Sequence, residues 1–268
     1  MNTIEKVNHY TSIESLDKIL ESKKILFKRF DLMDDQTENS GVPEILKKNF
    51  FLSCWSKESK EMIPQWEMYA KNGIRIELPV KWYIKHPILD NDGNLVTDFS
   101  EIVDKDHPYK YSFFPIPFNE LLSGKNYAIS PAINETNGFI LEVEYCNNFI
   151  EKKQQAWVYD SETNTTHLQN LHSLIAYKDE YWDFQKEIRY YLTTICKDSL
   201  HEYLPEFILV PISCDALNQI IITLYPNCTQ EDELKVIEIC EKHLDIFNPD
   251  IQIKRSDLDG KFKPKNLT

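Results

Sequence analysis

A chain of 268 residues with 42% hydrophobic and 12% aromatic side chains is long enough to bury a sizeable core, as one large domain or two small ones. Its formal net charge of −13 repels phosphate backbones, so DNA or RNA is disfavoured as the main partner, although net charge says little about any one cleft. Six cysteines form neither a CxxC pair nor a Cys/His cluster, which disfavours a disulfide framework and a structural zinc, and six glycines leave no G-x-G-x-x-G or P-loop.

The first strand ends near His9 in "VNHYTS". The next segment, "TSIESLDKILESKK", sets Ile13, Leu16, Ile19 and Leu20 on one helical face, and Thr11 with Glu14 reads as a capping box for a helix over 12–23. "ILFKRF" (25–30) reads as a strand and "DLMDDQTENSG" as a polar, acidic, solvated loop. "FFLSCWS" (50–56) alternates as a strand, a helix is predicted near 61–72 with Pro64 in its first turn, and "GIRIELP" is a third strand. From about 80 to 138 the pattern weakens. "VKWYIKHP" fits a short helix, and the Pro- and aromatic-rich remainder looks like an insertion.

"FILEVEY" (139–145) reads as a strand, "TTHLQNLHSLIAY" as a helix and "EIRYYLTTI" (187–195) as a strand. The strands "FILVPI" and "QIIITL" follow, then the helix "QEDELKVIEICEKH" and the strand "IQIKRS", which together close the chain as a β-α-β unit. Hairpin-like strands with intermittent helices, lacking regular β-α alternation, indicate an α+β fold: a mixed, mostly antiparallel, split sheet with flanking helices in one domain spanning 1–268. No apolar run approaches the ~18 residues needed to cross a bilayer, and the N-terminus has neither a basic flank nor an apolar core. The expected location is the cytoplasm, without membrane contact.

Extended from 185 onward, "QKEIRYYL" points Gln185, Glu187, Arg189 and Tyr191 to one face. Such a carboxylate, amide and guanidinium can hold a ribose, with Arg189 free to bind phosphate. The alternative is a solvent-facing strand carrying a Glu/Arg pair worth little. His9 shares a face with Thr11, either facing a nucleotide or serving as a hydrogen-bonded structural histidine. In "LSCWS", Ser53 and Trp55 share one strand face, while Trp66 and Tyr69 lie one turn apart on the next helix. These aromatics can clamp a flat ring or simply join the core. Asp34, Asp35 and Glu38 are candidate ligands for a hard cation but match no EF-hand spacing, so a solvated loop is expected, and its position also suits a lid with Arg29 facing phosphate.

The order "HYTS" before a helix, "ILFKRFDLMDD", "LSCWS", "WEMYA" with "GIRIEL", and W-x-x-Q-K-E-I-R resembles a widespread bacterial family called domain of unknown function 2971, over roughly 5–80 and 175–258. That family in turn looks like a distant relative of the ADP-ribosyltransferases, marked by a His-x-Thr/Ser strand, a middle Ser or aromatic pair and a late Gln/Glu-x-Glu. The resemblance implies an ADP-ribosyltransferase-like core with NAD as substrate and no metal. His9 and Thr11 would contact a ribose of NAD, Trp55 or Tyr69 would stack near nicotinamide, Glu187 would hold the nicotinamide ribose and Gln185 would face the acceptor. Tyr10, Arg29, Ser53, Trp66 and Arg189 complete the expected nucleotide-contacting set. Glu usually stands in that family at the position of Gln185, which leaves a protein, a nucleic acid, a small molecule or water open as acceptor. The implied activity is ADP-ribosyl transfer or NAD cleavage, as in a bacterial toxin or phage-defence effector. The alternatives are a non-catalytic nucleotide-binding module and a protein-interaction module.

Overall fold

The computed structural model describes residues 4–35, 37–87, 113–117, 120–121, 126–130, 139–163, 165–196, 203–245, 248 and 250–261. β1 (Lys6–Thr11) runs into α1 (Ile13–Ser22), followed by β2 (Lys24–Arg29), α2 (Glu44–Lys47), β3 (Phe50–Ser56), α3 (Ile63–Tyr69) and β4 (Ile74–Pro79). Three short strands, β5 (His86–Pro87), β6 (Phe113–Phe114) and β7 (Tyr127–Ser130), precede β8 (Ile140–Glu142) and β9 (Glu144–Tyr145). Then come α4 (Phe149–Gln154), β10 (Trp157–Asp160), β11 (Thr165–Leu168), α5 (Ser173–Ala176) and β12 (Tyr177–Lys178). β13 (Glu187–Cys196), β14 (Phe207–Pro211), α6 (Cys214–Leu217), β15 (Ile221–Leu224), α7 (Gln230–His243) and β16 (Gln252–Lys254) complete the order. No helix among the described residues is long and apolar enough to cross a membrane.

The expected mixed, mostly antiparallel α+β sheet is present, and β3 is its hinge strand. β13 runs antiparallel along all of β3, from Glu187 opposite Ser56 to Thr193 opposite Phe50. A strand has two edges, so β1 and β2 share the other one: β2 pairs at Phe51 and Leu52, and β1 at Ser56. The sheet is therefore split there, with β14 and β2 on one side and β1, β4, β15 and β16 on the other. β15 and β16 are parallel and are joined by α7, as a β-α-β connection requires. The outer edge of β13 carries β8 and β7.

Several local expectations change. The cap of α1 is Ser12 rather than Thr11, because Ser12 Oγ accepts the Ser15 N–H at 3.1 Å while Thr11 is still paired with Ile74 in the ladder. The segment 165–177 is no single helix. Its two threonines favour extended backbone and pair with β10 across a turn held by Asp160, and helix begins only at Ser173. The strand expected at 139–145 breaks at Val143, whose N–H bonds the Glu187 carbonyl, and its second half turns to pair in parallel with β12. Residues 80–87 form no helix, since Trp82 and Tyr83 are buried and Tyr83 bridges to Ile212. The helix over 61–72 shortens to α3, and past its C-cap Ala70, Asn72 adopts a positive φ of 55°. Most of the proposed insertion lies outside the described residues.

Candidate functional site

The ladder assigns side chains to the two sheet faces. Asn8, Ser56 and Glu187 stand in one row and Tyr10, Arg75 and Thr223 in the next, so all six share a face with Cys54 and Arg189. His9, Trp55, Ile188 and Tyr190 alternate to the opposite face. That second face is apolar and aromatic, with Trp55, Trp82 and Tyr190 in mutual ring contact and Phe139 against Tyr190. The first face carries buried polar and charged groups where a soluble protein ordinarily places apolar ones.

At the centre of the polar face, four charges form a closed ring. Arg189, fully buried, donates from Nε to Glu187 Oε1 at 2.7 Å and pairs through Nη1 with Glu38. Lys178 Nζ lies 3.3 Å from Glu187 Oε2 and 3.4 Å from Glu38 Oε2, so each cation bridges both carboxylates. Lys178 also donates to Gln185 Oε1 at 2.9 Å, and Gln185 Nε2 donates to the Tyr69 hydroxyl. Lys153, also fully buried, donates to the Glu38 carbonyl at 2.6 Å, and the Tyr145 hydroxyl accepts the Glu187 N–H at 2.8 Å. Glu187 and Gln185 are themselves buried, whereas Tyr69 is 39% exposed and forms the rim.

Charge and burial compete throughout. Burial raises the Glu187 carboxyl, but Arg189 and Lys178 outweigh it and hold the group well below the usual carboxylate range. Burial lowers Lys178, and Glu187 and Glu38 more than reverse this. Lys153 has no comparable compensation, and burial takes its ammonium down to about 8. Burial and the neighbouring Glu187 push the Cys54 thiol far up, and burial pushes Tyr69 to about 12. Three cations against two carboxylates leave the cluster with one surplus positive charge.

The structure brings some expected site residues together and separates others. Glu187, Arg189, Gln185 and Tyr69 meet in the cluster. Gln185 gets there from a 3-10 turn, Glu180–Gln185, rather than from an extended strand; its Oε1 faces Lys178 after Lys186 turns the chain at φ +44°. Trp66 does not join Tyr69 as a clamp: it is fully buried between Tyr10 and Tyr225, with centroids 4.9 and 5.7 Å away. Ser53 accepts the Trp55 indole N–H at 3.0 Å inside the aromatic face. Arg29 is bound to Asp31 and to the carbonyls of Leu204 and Pro205. His9 sits in the sheet split, where its Nδ1 donates to the Cys54 carbonyl at 3.1 Å and its ring lies 5.0 Å from Trp55. Burial lowers its pKa, partly countered by that hydrogen bond, so the ring is neutral with Nε2 unprotonated at pH 7. His9 and its face-mate Thr11 therefore lie across the sheet from Glu187.

Sequence reasoning missed Lys178, Lys153 and Tyr145, and set Glu38 aside as solvated. Glu38 lies in the loop taken as solvated, yet it is only 1% exposed. Its sole signal was a carboxylate amid acidic neighbours, which gives no direction. Among the described residues no group of His, Cys, Asp and Glu has metal-ligand geometry. An open cleft of about 220 Å³ lies elsewhere, between Lys24, Ile116, Tyr127 and Leu209, and shares no residue with the cluster. Compared with known proteins, the chain matches no family model, no curated protein and no solved structure.

Proposed function

We propose that the Glu187 cluster is the seat of NAD-directed chemistry, either ADP-ribosyl transfer or NAD cleavage. The observation that carries this reading is convergence. The segments "DDQTE", "LSCWS", "QWEMY" and "QKEIR", far apart in the chain, deliver Glu38, Cys54, Tyr69, Gln185, Glu187 and Arg189 to one polar patch. In this reaction the bond from ribose C1′ to the nicotinamide nitrogen breaks with its electron pair leaving on nicotinamide. Water or an acceptor then supplies the pair that closes the new bond, and the acceptor's proton passes to solvent. Positive charge develops on the ribose, and a fixed carboxylate beside its hydroxyls stabilises that state more than the ground state. Glu187 suits this role because its cationic neighbours keep it ionised. Gln185, oriented by Lys178 and Tyr69, faces the acceptor.

Nicotinamide release from NAD by the purified protein, with and without cell extract, tests the assignment. Glu187→Gln is expected to reduce release by about 100-fold or more. Unchanged release from a folded Glu187→Gln protein would end it. One observation favours a second reading, nucleotide binding without turnover: both oxygens of Glu187 already have cationic partners, which tempers the field a ribose would feel. Saturable NAD binding with no nicotinamide released over hours would select that alternative.

A further inference from the structure

The four-charge ring has an unusual member. Arg189, Lys178, Gln185 and Glu187 belong to β13 and to the strand and turn just before it, whereas Glu38 is brought in from an irregular acidic loop. Apart from Glu38, the cluster would hold three cations and one carboxylate. Arg189 Nη2, although fully buried, has no hydrogen-bond partner among the described residues. A buried guanidinium normally satisfies all its donors, and a planar fork with a spare N–H suits an anion with several oxygens.

The loop around Glu38 is irregular, and besides the two ion pairs of Glu38 and the packing of Val42 in the core it is held by local turns. Lys153 takes the Glu38 carbonyl, Asp35 caps the turn through the N–H groups of Thr37 and Glu38, and Gly41 sits at φ +76° against Ile150. The left-handed φ at Gly41 is what requires glycine, and a Cβ there would also meet Ile150 Cγ2 at 2.8 Å.

From these observations we infer that Arg189, Lys178 and Lys153 form a binding site for a phosphate-type oxyanion, and that Glu38 fills it in this structure as an internal stand-in. A diphosphate or phosphate brings more charge and more oxygens than one carboxylate, so it can displace Glu38 and reach Arg189 Nη2. The displaced loop uncovers Glu187. The site is closed while empty and opens as the anion binds, and the ligand shifts this equilibrium only by its preference for the open state. This rests on the cluster being the ligand site, but not on turnover.

The test is calorimetric titration at low ionic strength with inorganic pyrophosphate and, separately, ADP-ribose, on the full chain and on Glu38→Gln and Gly41→Ala. Glu38→Gln removes the competing charge, and Gly41→Ala loosens the loop while leaving every charge in place, so it serves if Glu38→Gln does not fold. Pyrophosphate is expected to bind Glu38→Gln about tenfold or more tighter than the unaltered chain, and Gly41→Ala several-fold tighter. Amides of residues 37–42 are expected to exchange faster when pyrophosphate is added. ADP-ribose should share the gain, and a gain for ADP-ribose alone would place the recognition in its nucleoside rather than in an oxyanion site, overturning the inference. Equal pyrophosphate affinity in folded variants and the unaltered chain would also overturn it. Tighter pyrophosphate binding without nicotinamide release would leave the inference standing and defeat the NAD reading. Release that requires Glu187, without any gain in Glu38→Gln, would do the reverse.

Discussion

Replacing Arg189 by methionine removes one of the two cations that bridge both buried carboxylates. The side chain is fully buried and bonds Glu187, Glu38 and the Ile175 carbonyl. Among the described residues Lys178, at 3.3 and 3.4 Å, then remains as the only cation facing both carboxylates. Breaking a buried pair from one side costs about 3–5 kcal/mol, because the surviving charge stays desolvated. For a chain of this size that lowers Tm by about 10 °C. Thermal and urea unfolding at several pH values measure it. The native Glu187 carboxyl is held below its unfolded value, so its stabilisation is present above the unfolded pKa and is lost as pH falls through the depressed folded one. In Arg189→Met burial prevails, the carboxyl rises, and protonation relieves the variant. Its deficit is therefore expected to be largest near pH 7 and to narrow towards about pH 4. A variant melting within 1–2 °C of the parent at pH 7, or a deficit independent of pH, would refute the coupled-charge description.

Three further outcomes follow from the same geometry. Lys153, lowered to about 8 from 10.5, binds fewer protons when folded than when unfolded between those values, so it makes stability rise with pH across that window; Lys153→Met should lack the rise in urea titrations from pH 7 to 10. Gly73→Ala places a Cβ 2.2 Å from the Thr11 carbonyl oxygen, forcing β1 and β4 apart at an expected cost of about 1–3 kcal/mol, read by urea unfolding. Burial and Glu187 raise the Cys54 thiol while Cys214 is exposed, so iodoacetamide at pH 8 should label Cys214 quickly and Cys54 only after unfolding, as mass spectrometry of digests would show.

The sheet was legible where period and burial agree. β2, β3, β4, β13, α1 and α7 lie where the sequence places them, although β3 and β13 are buried on both faces, and the parallel closing pair came from strand–helix–strand order alone. Legibility failed where a tertiary partner decides the backbone. Val143 breaks a strand because Glu187 needs its N–H, and Thr165–Leu168 is extended because β10 lies beside it. For the candidate cluster, the late Gln-x-Glu-x-Arg pattern named three residues that do meet, Gln185, Glu187 and Arg189, although a positive φ at Lys186 put Gln185 there by a turn. Lys178 and the pairing of Glu38 were invisible because a long-range ion pair has no period. The grouping of His9 with Glu187 failed for a geometric reason. Each alternates correctly along its own strand, but only the register of β1 and β13 on β3 reveals that they point to opposite faces.

The location of a bound nucleotide bears most directly on the cluster as the ligand site. A crystal structure of the protein grown with ADP-ribose would show it. Density for the ligand beside Tyr69, Gln185 and Glu187, with its diphosphate at Arg189, is the expected result. Density in the sheet split against His9 and Trp55, with the four-charge ring intact behind it, would contradict the assignment and return the buried charges to a purely structural role.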